Sequence, residues 1–116
     1  MTKDEIIKVI NEKYTGRAVD ESELDNGCKY LTSNGNKCAV GLFIPEGHDG
    51  QYFLGGVKLL LEKHPDLRQY MPFSNIQTLV GFQRVHDIKL NDINDLTTQK
   101  QLLIEFVEKQ FNTQGN

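Results

Sequence analysis

The stretch Cys28-Lys29-Tyr30-Leu31-Thr32-Ser33-Asn34-Gly35-Asn36-Lys37-Cys38-Ala39-Val40-Gly41-Leu42-Phe43-Ile44-Pro45 decides the fold class of this chain. Asn34-Gly35 between two runs that contain apolar residues is the strongest short-range signal for a β-hairpin. Read that way, 28–32 is a strand, and Cys28 and Cys38 come to roughly opposing positions. A competing reading starts a short helix at Cys38, with the Asn-Gly turn as its lead-in. Ala39 to Ile44 then forms a buried helical turn that Pro45 follows. We expect a short strand at 28–32 and leave 38–44 open between strand and helix.

Outward from this segment, the patterning is helical. On the N-terminal side, Ile6, Ile7, Ile10 and Tyr14 share one stripe of an amphipathic helix over 3–14, and Gly16 is a plausible stop. Residues 20–26 are acidic and polar and read as a solvated loop. On the C-terminal side, Glu46 to Gly56 is a Gly-rich loop that contains His48 and Asp49. Val57, Leu60 and Leu61 then mark a helix that Pro65 ends. Asp66 to Phe73 reads as irregular. Ser74 or Asn75 can cap a helix that runs to about Ile88. A turn over 91–95 leads to a last amphipathic helix through Leu102, Leu103, Phe106, Val107 and Phe111, for which Thr98 and Gln101 fit a capping box. The expected architecture is α+β but mainly α: about four helices packed with a small β-hairpin or strand pair, in one domain over 1–116.

Composition narrows the function classes. The 116 residues are 38% hydrophobic and 25% charged, enough for one buried core and too apolar for a fully disordered chain. Thirteen Lys plus Arg against sixteen Asp plus Glu give a net charge of −3. Such a balance opposes nucleic-acid binding, which usually needs a basic face. No secretory h-region follows Met1, and apolar runs such as Leu59-Leu60-Leu61 fall far short of a bilayer span. A cytoplasmic protein without a membrane partner is the expectation. Nine residues separate Cys28 from Cys38, and a reducing cytosol favours free thiols over a disulfide.

Chemistry concentrates on the 75–88 helix. At about 100° per residue, Gln83, His86 and Asp87 fall inside the arc set by Ile76, Leu79, Val80 and Phe82. Buried polar groups need partners. One reading is a structural network in which Gln83 bonds a loop backbone and Asp87 orients His86. The other makes this face the floor of a pocket, with His86 a general base or metal ligand oriented by Asp87. Cys38 divides the same way. It is either a small core hydrophobe or, at a helix start that favours thiolate, the nucleophile of a Cys38-His86-Asp87 set. A zinc site built from Cys28, Cys38 and a histidine is a further alternative; otherwise no cofactor is expected. The Glu46–Gly50 loop could hold a divalent cation or cover a ligand, and the Gly55-Gly56 amides could face an anion. Arg17 and Lys37 are the nearest cations in sequence to counter an anionic ligand.

Gly16-Arg17, Cys28-x-Tyr30, Gly35-x-x-Cys38-Ala39-Val40-Gly41-x-x-Ile44-Pro45 and Gln83-x-x-His86-Asp87 together resemble a set of small proteins of bacteriophage and prophage genomes and of some bacterial chromosomes. The resemblance covers about residues 16–87. In this chain the part before Cys28 is longer and more acidic than the pattern. What the resemblance implies is an intracellular accessory protein, made inside an infected or lysogenic bacterium, with Cys28, Tyr30, Cys38 and His86-Asp87 as the positions of interest. It carries over no catalytic residue. The expected function is therefore binding of a host protein or small ligand without catalysis, with Arg17, Tyr30 and Gln83 as binding residues and the acidic 20–25 loop facing a basic partner surface. The alternative is a small cysteine- or metal-dependent hydrolase or transferase that uses Cys38, His86 and Asp87.

Overall fold

Helix α1 (Lys3–Lys13) begins where a capping box closes. In the computed structural model, the Thr2 hydroxyl accepts the Glu5 amide at 3.2 Å and the Glu5 carboxylate accepts the Thr2 amide at 2.9 Å. Ile6, Ile10 and Tyr14 on its inner stripe are buried, as the periodicity requires. The structure describes residues 1–16, 30–32, 35–53, 55–86 and 93–114. Arg17, the acidic 20–25 loop, Cys28 and Asp87 lie outside the described residues.

The hairpin expectation is corrected. Among the described residues there is no strand, and the fold is helical rather than α+β. Thr32 and Asn36 do come together. The Thr32 amide donates to the Asn36 carbonyl at 2.9 Å, Gly35 sits at φ +88°, and Leu31 pairs with Lys37 in an isolated antiparallel bridge. Among the described residues pairing goes no further, because the second arm coils at once into a 3-10 turn over Val40–Phe43. The cause lies in the apolar content of 38–44. These residues have no polar alternation, and all seven are buried. A two-stranded ribbon can bury only one of its faces against the core and is marginal by itself. A helical turn thrust into the core removes every one of these side chains from water.

Three further α-helices complete the core among the described residues: α2 (Val57–Lys63), α3 (Ile76–Arg84) and α4 (Leu96–Gln114). Asn75 caps α3, its side-chain oxygen accepting the Gln77 and Thr78 amides at 2.8 and 3.3 Å. Beyond Arg84, Val85 and His86 adopt a wider π-helical turn. The expected Thr98/Gln101 box does not start α4. Asp95 does, its carboxylate accepting both the amide and the hydroxyl of Thr98. Two segments read as loop or irregular contain 3-10 turns, Asp49–Tyr52 and Pro65–Tyr70.

α1 packs on α4, and α2 packs on α3 and on Pro65–Tyr70. The Val40–Phe43 turn touches both α1 and α3. Phe82 of α3 lies at the junction, with the rings of Phe43, Phe73 and Phe106 centred 6.2, 5.8 and 5.7 Å away. No helix among the described residues is long and apolar enough to cross a membrane.

Candidate functional site

The first amides of a helical turn have no partner within the turn. At Val40–Phe43 they are met by two of the residues singled out in the sequence. Gln83 Oε1 accepts the Val40 amide at 3.0 Å, across 43 positions of chain. Cys38 Sγ accepts the Gly41 amide at 3.3 Å. The polar face of α3 thus supplies an acceptor to the inserted turn, and the cysteine acts as a side-chain cap.

Tyr30 and His86 are also built into this interior. The Tyr30 hydroxyl donates to the Gly55 carbonyl at 2.9 Å, tying the turn segment to the start of α2. His86 is fully buried in the π-turn after α3, with the Tyr14 ring edge-on at 6.4 Å and 85°. Tyr14 in turn donates its hydroxyl to Gln99 Oε1 of α4 at 2.9 Å, and Gln99 Nε2 donates to the Ile93 carbonyl. Cys38 and His86 both have 0% of their surface exposed. Arg17, Cys28 and Asp87 lie outside the described residues, and so do the ligand set with Cys28 and the orientation of His86 by Asp87.

A second group of ionisable side chains lies nearer the surface, and only one of its members drew attention in the sequence. His48, His64 and Asp66 offer metal-ligating atoms that all lie within 4.8 Å of one another. This is the one cluster of that kind among the described residues. His48 caps the Asp49–Tyr52 turn: its Nδ1 accepts the Gly50 amide at 2.9 Å. With Nδ1 taken as acceptor, the ring proton sits on Nε2, which donates to Asp66 Oδ2 at 2.7 Å. His64 ends α2, and its ring stands edge-on to His48 at 5.3 Å and to Phe53 at 6.1 Å. Pro65 then directs the chain into the turn that carries Asp66. The Gly50 position is crowded: a Cβ there would lie 2.7 Å from Leu67 Cδ1 and 3.1 Å from His48 Nδ1. Glycine is what lets the amide reach the imidazole. His64 and Asp66 escaped sequence reading because Pro65 reads there only as a helix stop. The pattern His-Pro-Asp, with a second histidine in a preceding glycine-rich loop, was the available signal.

Electrostatics follow from these pairs. The hydrogen bond from His48 holds the Asp66 carboxyl below the usual range, against a smaller opposing effect of desolvation. Glu46 is held low in the same way, first by the hydrogen bond from Lys37 and then by that residue's charge. In both cases the unfolded chain takes up a proton at higher pH than the native protein does. Their contribution to stability is therefore complete above the ordinary carboxylate value of about 4 and is lost as acid protonates the native carboxylates below it. The melting temperature, followed by circular dichroism, should fall on acidification through that window, and Asp66→Asn should make the fall shallower. An unchanged acid limb in the variant would count against the pairing.

Comparison with protein-family models, with curated proteins and with solved structures gave no match to this chain.

Proposed function

We propose that the protein acts by binding, without turnover, as a small cytoplasmic accessory protein of the kind the phage and prophage resemblance implies, and that its target is a host protein or a small ligand. One observation carries the choice of binding over catalysis. Cys38 and His86, the pair a thiol mechanism needs, have no exposed surface. A nucleophile must be reached by its electrophile, and a general base must come within hydrogen-bond distance of the proton it takes. Cys38 Sγ is already the acceptor of the Gly41 amide, and Gln83 is the acceptor of the Val40 amide. Both roles belong to the interior. By contrast, Tyr52, Leu59 and Tyr70 leave 68, 45 and 43% of their surfaces in solvent. Tyrosines of this kind serve well as contact residues for a partner.

Thiol labelling separates this reading from a cysteine-dependent enzyme. Native protein is treated with iodoacetamide at neutral pH, and the Cys38 peptide is quantified by mass spectrometry beside a urea-unfolded sample. We expect Cys38 to stay essentially unlabelled while folded and to react like a model thiol once unfolded. Labelling of native Cys38 faster than the model thiol would reverse the assignment and restore the enzyme alternative.

A further inference from the structure

The geometry points to a binding site for one divalent transition-metal ion, formed by His48, His64 and Asp66. Nothing in this inference depends on whether the protein binds a partner. Two imidazoles and a carboxylate form a borderline donor set suited to zinc, nickel or copper rather than to magnesium or calcium. Three protein ligands are also the number that leaves a fourth tetrahedral position open to water or to an outside ligand.

Spacing is close to what such an ion needs. Ligand atoms about 2.0–2.1 Å from a tetrahedral zinc ion stand about 3.3 Å from one another. Here the three atoms already lie within 4.8 Å, with His48 Nε2 and Asp66 Oδ2 at 2.7 Å. A small inward movement of His64 and a slight parting of the other two meet the requirement. Each side chain comes from a differently anchored position: a turn cap, the end of α2, and the first turn after Pro65. Phe53 and His48 flank the His64 ring, which limits its rotation. The His48 side chain is 20% exposed and that of Asp66 56%, so an ion can enter from solvent.

Without metal, a proton stands in the ion's place. His48 Nε2–H bridges to Asp66, and Nδ1 accepts the Gly50 amide. To ligate through Nε2, His48 must give up that proton. The ring stays neutral by taking one on Nδ1, so the tautomer changes with no net proton released from this residue. Nδ1–H then faces the Gly50 N–H, and the amide must turn away. Metal binding is therefore coupled to a shift of the Asp49–Tyr52 turn. That coupling lowers the affinity relative to a site whose second shell already accepts from Nδ1–H, and it also supplies a spectroscopic signature at Gly50.

The test is a zinc titration of the full chain at neutral pH, by competition with a chromophoric chelator, with a parallel nitrogen-15 amide spectrum. One equivalent of zinc should bind, and the Gly50 amide should be among the resonances that shift. His64→Gln and Asp66→Asn should each weaken binding by at least about tenfold. Asp66→Asn keeps an acceptor for His48, and circular dichroism on both variants checks that they fold. Absence of saturable binding would leave the His48–Asp66 pair as a clamp between two turns and overturn the site. Zinc binding in both variants as tight as in the unaltered protein would place the ion elsewhere and overturn it as well.

Discussion

Replacing Phe82 by alanine should cost about 3–5 kcal/mol, the range for a fully buried phenylalanine that leaves a cavity. With an unfolding entropy of about 2.1 cal/mol/K per residue, this chain of 116 residues loses about 4 °C of melting temperature per kcal/mol. The expected drop is therefore about 12–20 °C in a calorimetric or circular-dichroism melt. Phe82 has this weight because it joins elements that otherwise meet at few points. Its ring stacks on Phe106 of α4 with planes 29° apart, meets Phe73 edge-on, and packs against Phe43 of the inserted turn. Neighbours held by three different parts of the chain cannot all move in to fill the space. Phe82→Leu, which keeps most of the volume, should lose under half as much. A loss below about 1 kcal/mol for Phe82→Ala would show that the aromatic junction is not the centre of the core.

Gly41→Ala is the second substitution with a large expected effect, and it acts by a different cause. The backbone of Gly41 lies in an ordinary region, with no positive φ to demand glycine. Space is what demands it. An added Cβ would stand 2.2 Å from the Tyr30 carbonyl oxygen, 3.0 Å from its carbonyl carbon and 3.2 Å from Cys38 Sγ. The oxygen belongs to backbone, and Tyr30 is held at its other end by the hydroxyl bond to Gly55. Relief requires moving the turn away from the Leu31–Lys37 bridge, which also disturbs the Gly41 amide bond to Cys38 and the adjacent Val40 amide bond to Gln83. Overpacking of this severity should cost about 3 kcal/mol, the upper end for a core insertion. A lower urea midpoint with an unchanged slope would report it. Gly35→Ala is the control. Among the described residues beyond its chain neighbours no atom lies within 4 Å of its Cβ position, and the φ of +88° is what opposes it, so its cost should stay at about 1–2 kcal/mol.

The same contrast describes how far the site could be read in advance. That α3 and the turn after it carry polar groups on an apolar face was visible from the positions of Gln83 and His86, and both are buried. Which atoms they meet was not visible. The partner of Gln83 is an amide 43 positions away, which has no partner within its own turn because Val40–Phe43 coils instead of pairing as a strand. Cys38 and Gln83 are joined through that turn, whereas His86 is set against Tyr14 of α1's end. Of the metal-type cluster, His48 alone stood out, as one residue of a glycine-rich loop. Its distance to His64 and Asp66 is a property of how that loop folds back over the end of α2.

Taken by itself, the sequence determined the placement of the helices. Apolar periodicity and caps act over three or four positions, so Thr2-x-x-Glu5, Asn75 before Ile76 and Pro65 after α2 carry their structural meaning wherever the chain goes. Only the tertiary structure decided the fate of 38–44 and the grouping of His48, His64 and Asp66. For a short run that is apolar throughout, strand and helical turn satisfy the local rules almost equally. The difference lies in the area each can bury against helices distant in sequence, and that area exists only once α1 and α3 are in place.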